Sequence, residues 1–392
     1  MKVRLIEFNN ASIGDWSALD ELMAYEMYEG VFENTVVILR WNAENPSVGI
    51  GPFEDGDMLN AGIAEAEGFH CGRRNAFGGG AGVYTKEIPI VIFWYKKPYD
   101  RETANILTES NINGAANADA LQKVGIPAVY KPIGDTEVPI DNMRYKVIAS
   151  GANNFHLPDY WTTCASVIWD ILSDKSMQMF GKAVKLPPEK FEDKKHKDYT
   201  GRMKPIKLLF DDLKKEVPQE DIIQSIIEEN VKALFGNAEV KSESLSNEEN
   251  EYLKRMVPFF ESDSWINRFS TKRMAKRHPL DFFVGQAAYK SRKLVKASIL
   301  LDANRERIQE AMFTADWFLR PAPSINNLGG VGELNRSVVG LNPKDEDGLL
   351  KAIKTVFDSP EFDTPLIEAE HLVNPLIRAA QTARPVGEFL KE

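Results

Sequence analysis

Hydrophobic and polar residues alternate in short blocks along the first half of the chain, a pattern typical of strands connected by turns. Such runs predict strands at 2–8 (a sheet edge), 34–41, 47–51, 69–74, 88–95, 127–131 and 163–171, and a strand–turn–strand unit at 134–151. Helical spacing predicts helices at 16–30, capped by Asp15, at 57–67 and at 101–125. Because the strands lack a regular strand–helix–strand period, the pattern favours an α+β fold with a mixed or antiparallel sheet flanked by helices.

The second half contains longer helical periods separated by charged connections. An amphipathic helix is predicted at 219–235 and ends at Gly236, and the polar residues 237–250 predict a linker. We therefore expect a larger domain over residues 1–240 and a smaller α+β domain over 245–392. In the smaller domain the pattern predicts helix at 248–269, paired strands at 293–302 and 308–319, and a mainly helical tail at 345–380.

The composition is that of a globular protein with an acidic surface. Of 392 residues, 43% are hydrophobic and 27% are charged, which suffices for a core in each of two domains. The formal net charge of −10 repels phosphate backbones, so nucleic acid is not expected as a partner. Any anion site must therefore be built locally.

Cysteine, histidine and hydropathy patterns exclude several other classes. Cys71 and Cys164 do not indicate a disulfide-stabilised scaffold, and the five histidines lack the spacing of a zinc site. The start of the chain has no apolar segment, and the longest apolar run, 88–95, has the length of a strand. We therefore expect a cytoplasmic protein that does not interact with membranes.

The most informative motif is RRNAFGGGAGVY, in which two arginines precede three consecutive glycines. Glycine has no Cβ and tolerates positive φ, so the N–H groups of Gly78, Gly79 and Gly80 can point at one anion. Arg73 and Arg74 would add donors for a carboxylate or a phosphate. From these residues alone, an acyl-phosphate site and a tight turn with two surface arginines stay equally open.

This motif resembles the signature of the lipoate–protein ligase and octanoyltransferase family. The segment 40–55 is similar to the strands of the family's substrate pocket, and 134–152 is similar to its segment with a lysine before small residues. Order and spacing agree over residues 3–235, and ESDSWINRF resembles the start of the family's C-terminal accessory domain. The resemblance implies a biotin/lipoate ligase-like catalytic domain followed by that smaller domain.

By this resemblance Lys146 is the catalytic residue, whose ammonium would bridge the acid's carboxylate and the α-phosphate of ATP. The family places two residues between this lysine and the next glycine, whereas Val147 to Ser150 intervene here before Gly151. A β-bulge would absorb part of this difference, and Ile148 in the lysine's place is the alternative.

The other implied site residues surround this centre. Arg73, Arg74, Gly78, Gly79, Gly80 and Ala81 would hold the carboxylate and phosphate, Asp135, Thr136 and Glu137 the nucleotide or Mg²⁺, and Trp41 and Asn42 the acyl chain. The alternatives are core packing for Trp41 and a solvated turn at 135–137. Phe77, Tyr84, Thr85 and Asp135 depart from the family's usual residues, which leaves the exact acid open.

The charged loop 185–207 carries eight basic residues and is poorly periodic. In the family a segment at this position closes over the adenylate, which must be shielded from water. Its basic residues would also meet an acidic carrier domain. A solvated run of charges is the alternative.

The implied activity is a two-step ligation that uses ATP and Mg²⁺. The acid, expected to be lipoate, attacks the α-phosphate of ATP, and a lysine of a lipoyl domain or H-protein-like acceptor then takes the acyl group from the adenylate. We expect a monomer. One alternative is an ATP-independent octanoyl or lipoyl transferase, in which Cys71 would be the candidate nucleophile. Cys164 is expected to be a buried strand residue instead. The other is a non-catalytic homologue that binds a lipoylated partner.

Overall fold

The computed structural model describes residues 1–97, 104–132, 134–140, 142–154, 157, 159–186, 189 and 203–391. Its strands are β1 (Lys2–Ala11), β2 (Thr35–Trp41), β3 (Ser47–Ile50), β4 (His70–Arg73), β5 (Gly82–Tyr84), β6 (Ile90–Lys96), β7 (Val129–Lys131), β8 (Asp135–Ile140), β9 (Met143–Asn154), β10 (Tyr160–Val167), β11 (Glu239–Ser242), β12 (Phe283–Lys290), β13 (Leu294–Leu301), β14 (Ile308–Ala315) and β15 (Arg384–Pro385).

Its helices are α1 (Ile13–Glu29), α2 (Ala61–Ala66), α3 (Ile106–Lys123), α4 (Asp174–Ala183), α5 (Ile206–Leu213), α6 (Gln219–Phe235), α7 (Asn247–Phe260), α8 (Asp263–Ile266), α9 (Thr271–Lys276), α10 (Gly329–Ser337), α11 (Glu346–Phe357), α12 (Ala369–Gln381) and α13 (Val386–Phe389). A short 3₁₀ turn at Gly56–Met58 precedes α2, so the helix predicted at 57–67 is shorter than expected. Along the described residues, no helix combines the length and hydropathy that a membrane span requires.

The largest sheet has eight strands and is mixed. Its order is β11-β1-β2-β6-β10-β9-β8-β7, with β1 parallel to both of its neighbours and the other pairs antiparallel. Alternate residues of β6 face two cores: Trp94 and its companions pack with α1, and Tyr95 and its companions pack with α3 and α6. Burial on both faces explains the uninterrupted hydrophobic run of β6. The expected α+β class is therefore confirmed.

The first helix begins earlier than its pattern predicts. Ser12 is the N-cap and accepts a hydrogen bond from the Asp15 amide, while the Asp15 carboxylate accepts one from the Ser12 amide at 2.7 Å. The prediction of Asp15 as the cap was wrong, because this residue is the returning member of a capping box. The helix ends at Gly30 with φ of 72°, as predicted.

The predicted linker 237–250 contains regular structure. Its residues 239–242 form β11, which pairs in parallel with β1 and takes the edge position that the sequence assigned to β1. A second capping box, between Ser246 and Glu249, begins α7 inside the same segment. The Glu249 carboxylate also accepts a hydrogen bond from Arg4 of β1 at 2.9 Å. This polar stretch is thus part of the fold. Its strand was not predicted, because a short run of charged and polar residues lacks the hydrophobic alternation that marks a strand.

The C-terminal sheet has four antiparallel strands in the order β14-β13-β12-β15. Its core also contains residues of α10, α11 and α12. The predicted strand pair corresponds to β13 and β14, whereas β12 and α10 were not predicted, because their small and polar residues give no clear period.

A third sheet has three strands in the order β4-β3-β5, and the Phe53 carbonyl beyond β3 accepts a hydrogen bond from the Ala315 amide of β14 at 3.0 Å. Helix α7 lies beyond the predicted boundary but packs on α1, in the core of the large sheet. The division into residues 1–240 and 245–392 stays a prediction, and this packing indicates close association of the two parts.

Candidate active site

One cavity of about 350 Å³ lies where the glycine-rich segment, the β8–β9 pair and the C-terminal sheet converge. Eight of the residues singled out from the sequence line this cavity: Arg74, Gly78, Gly79, Gly80, Ala81, Tyr84, Asp135 and Lys146. The sheet brings together segments that are far apart in the chain, because β10 joins β6 to β9.

Lys146 and Asp135 form an ion pair on the cavity wall. The Lys146 Nζ lies 2.5 Å from the Asp135 Oδ1. Burial pushes the pKa of Asp135 upward, but the ammonium of Lys146 outweighs this effect and holds the pKa below its ordinary value. The pair therefore stays ionised, with the lysine fixed by its neighbour.

A β-bulge at Val147 sets the position of the lysine. Thr136 pairs with Ile148 and Glu137 with Lys146, so Val147 is the extra residue of β9. Its side chain is fully buried. The bulge expected from the spacing is thus present.

Arg74 organises the glycine-rich segment. Its Nη2 donates to the carbonyls of Gly79 and Gly80, each at 3.0 Å, and its Nη1 donates to the Tyr84 hydroxyl. Burial lowers the pKa of Arg74, but the interaction with Tyr84 raises the pKa by more and leaves it above its ordinary value. The guanidinium stays charged, and much of its donor capacity serves the loop.

The same segment closely approaches the C-terminal part of the chain. The Gly79 amide donates to the Trp317 carbonyl at 3.3 Å, so this N–H does not point at an anion as expected. A Cβ at Gly78 would lie 1.9 Å from the same carbonyl oxygen, which is why glycine is required there. Gly79 has φ of 96°, a second position that favours glycine.

Arg73 does not line the cavity. Its side chain is fully buried, and its guanidinium donates to backbone carbonyls, among them those of Ile266 at 2.6 Å and Glu54 at 2.6 Å. Arg73 is the last residue of β4 and Arg74 follows it directly. Successive residues of an extended chain point to opposite faces, so Arg73 faces away from the cavity that Arg74 lines. The geometry revises the expectation that Arg73 holds the acid, and shows that it joins β4 to the segment around α8.

Four other expected residues also lie outside the cavity lining. The Trp41 Nε1 donates to the Ile88 carbonyl at 2.8 Å, and its ring packs 4.8 Å from that of Tyr84. The Asn42 side chain accepts two backbone N–H bonds within its own turn. Thr136 is buried, and Glu137 pairs with Lys131 at 3.0 Å. These four side chains thus take part in packing, hydrogen bonds and an ion pair outside the cavity lining.

Apolar residues from several elements complete one part of the cavity. Among them the sequence singled out only Phe77, as a departure from the family's motif; the others are Trp16, Ile88, Ile168, Leu172, Met177, Phe180 and Met203. Phe77 is buried with φ of 59°, unusual for a bulky residue, and its ring lies 5.8 Å from that of Trp16. The Phe77 substitution in the glycine motif was the only signal of this contact.

The two cysteines occupy different environments. Cys164 of β10 is buried, as expected, and also lines the cavity, whereas Cys71 packs in a separate small core. Burial raises the pKa of each thiol to about 12. Neither group is therefore a thiolate at neutral pH.

The C-terminal part contributes three residues to the cavity, Lys293, Asp316 and Phe318. Lys293 follows β12 in the turn to β13, and the other two follow β14 directly. A Cβ at Gly151 would come within 3.0 Å of the Phe318 ring, so this ring packs directly on β9. No sequence motif marked these residues.

No cluster of three or more metal-ligating side chains exists within the described ranges. Asp135 and Asp316 are the carboxylates of the cavity lining, and Asp135 pairs with Lys146. These residues fit a Mg²⁺ held mainly by nucleotide phosphates with one or two carboxylates, a common arrangement for this ion. The charged loop at 187–188 and 190–202 lies outside the described residues, and α5 begins at the end of the predicted loop.

Comparison with solved structures places the fold. P. falciparum LipL1 in complex with lipoate matches with a TM-score of 0.62 and 13% identity over 100% of both chains. A lipoate protein ligase of Thermoplasma acidophilum matches with a TM-score of 0.53 and 16% identity, and the match covers 68% of this chain and 97% of that one. Lipoate-protein ligase A bound with ATP matches with a TM-score of 0.51 and 14% identity, and the match covers 68% of this chain and 99% of that one.

No protein-family model and no curated protein matches the sequence. The solved structures nevertheless agree on the architecture across the full length or most of the chain. The protein has the α+β fold of lipoate–protein ligases, as the sequence resemblance implied.

Proposed function

We propose that the protein is an ATP-dependent lipoate–protein ligase, which converts lipoate or a related acid to an acyl-adenylate and transfers it to a carrier lysine. The observation that carries this proposal is the Lys146–Asp135 pair in a cavity between the glycine-rich segment and an apolar wall. The fold supports it, since it is shared with a chain solved with lipoate and with one solved with ATP.

Lys146 serves the first step by reducing repulsion between two anions. The acid's carboxylate must attack the α-phosphate of ATP, and an ammonium between them neutralises charge as the bond forms and pyrophosphate leaves. Asp135 fixes this ammonium at 2.5 Å and so limits its motion. Mg²⁺ bound to the phosphates would offset the remaining negative charge.

The apolar wall suits the acyl chain. Trp16, Phe77 and Ile168 offer ring and aliphatic surface next to the charged groups, so a medium-length tail can be buried while its carboxylate stays near Lys146. Exclusion of water by these residues would also protect the mixed anhydride from hydrolysis.

The second step requires a protein carrier. We propose a lipoyl domain or an H-protein-like acceptor, whose lysine amine attacks the acyl carbon and releases AMP. A lipoyl-domain partner is supported by the T. acidophilum ligase, which was studied with its E2 lipoyl domain. The ammonium of Lys146 would stabilise the phosphate oxygen that leaves.

The direct test is to incubate the protein with lipoate, ATP and Mg²⁺ and to detect lipoyl-AMP by mass spectrometry. We expect lipoyl-AMP to form only when ATP is present, and to disappear when a lipoyl domain is added. Octanoate and biotin in place of lipoate would define which acid the wall accepts.

The alternatives give different products. An ATP-independent transferase would move the acyl group from a carrier without forming lipoyl-AMP. A non-catalytic homologue would bind lipoate and leave ATP unchanged. Either result contradicts the proposal.

A further inference from the structure

One ammonium group of the cavity differs from the other cations. Lys293 lies in the β12–β13 turn, and its Nζ is 5.2 Å from the centroid of the Phe318 ring. Within the described residues no carboxylate oxygen comes within 4.0 Å of it. Burial lowers the pKa of Lys293, while Asp316 and Asp135 act in the opposite direction. Lys293 is half-buried, and a partly desolvated ammonium without an ion pair is destabilised, so an anionic ligand would stabilise it.

The other described cations near the site already have partners. Arg73 donates to carbonyls outside the cavity, and Arg74 donates to the glycine-rich segment and to Tyr84. Lys146 pairs with Asp135. The charge or the donors of each of these groups already serve a partner in part, whereas Lys293 would gain its first anionic partner.

We propose that Lys293 binds a phosphate group of the nucleotide, so that the C-terminal part of the chain supplies a binding residue of the active site. This inference rests on the proposed function, and it adds to that function a residue 147 positions beyond Lys146 in sequence.

A phosphate fits this position better than the carboxylate of the acid. Among the described residues, the lining carries two other cations, Arg74 and Lys146, and these are balanced by the carboxylates Asp135 and Asp316. Without Lys293 the described part of this lining would offer a nucleotide no net positive charge. The single charge of the acid is met by Lys146, whereas a triphosphate needs further cationic donors.

The test measures ATP and lipoate binding separately, by calorimetry, with Mg²⁺ present. The variants are Lys293→Gln, Lys293→Arg and the matched control Arg292→Gln, which removes the same charge from the same turn at an exposed residue outside the cavity lining. We expect Lys293→Gln to weaken ATP binding roughly tenfold or more, the value of a charged hydrogen bond. Lipoate binding should stay within about twofold, and Lys293→Arg should retain most ATP affinity.

Each other result separates the two proposals. Equal ATP affinity of wild type and Lys293→Gln, or equal loss of ATP and lipoate binding, would overturn the role of Lys293. Wild-type protein that binds no ATP would overturn both proposals. ATP binding that depends on Lys293, without lipoyl-AMP formation, would sustain the phosphate contact and refute the ligase activity.

Discussion

Beside its apolar wall, the candidate cavity has two further walls that are built differently. The first wall consists of strand residues and their bonded partners, with Lys146 and Asp135 on β9 and β8 and Arg74 beside the glycine-rich segment. The second wall consists of Lys293 in a turn and of Asp316 and Phe318 after β14. Groups on strands of a sheet are fixed by their neighbours, whereas groups in connections depend on how two sheets associate.

This difference assigns different tasks to the walls. The first wall holds a preorganised ion pair, as a reaction between two anions requires. The second wall reaches the site through contacts between the two parts of the chain, among them the Arg73 hydrogen bond to Ile266 and the Gly79–Trp317 hydrogen bond. Variants of the first wall should therefore change the rate of the reaction. We call the contacts of Arg73 and Gly79 with the C-terminal part the junction, and variants of the junction should change stability together with adenylate formation and acyl transfer.

The largest effect is expected for Lys146→Ala. Loss of a preorganised cation at the reacting phosphate should reduce lipoyl-AMP formation by about 100-fold or more, with a smaller fall in Tm because Asp135 loses its ion-pair partner. The measurement is the single-turnover rate by mass spectrometry. The matched control is Lys131→Ala, which removes a lysine paired with Glu137 on the neighbouring strand and outside the cavity lining. Equal loss in both variants would show that Lys146 acts through the fold alone.

The sequence predicted the first wall because its residues lie in two short segments, 73–84 and 134–152, each with a recognisable pattern. It could not predict the second wall, since Lys293 and Phe318 approach the site through tertiary contacts alone. Arg73 was assigned to the substrate because it belongs to the glycine-rich motif, and Trp41 because residues 40–55 resemble the family's pocket strands. Whether such a side chain faces the cavity or the core is decided by register and packing, which the motif does not encode.

The next largest effect is expected for Arg73→Leu, which tests the junction. The substitution leaves buried carbonyls of Glu54 and Ile266 without donors, so we expect Tm to fall by about 5 °C or more. Arg307→Leu is the control, because this exposed arginine also donates to a carbonyl, that of Gly340. Similar Tm values for the Arg73 variant and wild type would mean that the junction does not depend on this guanidinium.

A smaller effect is expected for Asp135→Asn, which keeps Lys146 but removes its counter-ion. We expect adenylate formation to fall roughly tenfold as the ammonium loses its fixed position. The folded pKa of Asp135 is lowered, so the stability of the pair is present above the ordinary pKa near 3.8 and is lost as the pH falls through the lowered value. The Tm difference between wild type and variant should therefore be constant near neutral pH and shrink in acid.

The control for this variant is Asp170→Asn, which breaks the Lys207 pair at 2.8 Å outside the cavity. This pair is more exposed and is expected to contribute little to activity or Tm. Equal rates for Asp135→Asn and wild type would show that Lys146 is positioned by the bulge and its packing, without help from the carboxylate.

The smallest effect is expected for Cys164→Ser, which tests whether the first wall carries a nucleophile. Its pKa of about 12 keeps the thiol protonated at neutral pH, so it cannot attack an acyl group efficiently. We expect lipoyl-AMP formation and transfer to stay within about threefold of wild type, as in Cys71→Ser, since each change removes a thiol that the proposed reaction does not use. Complete loss of transfer in Cys164→Ser alone, with a thioester trapped on wild-type protein, would instead make this wall a covalent acyl carrier and favour the transferase over the ligase.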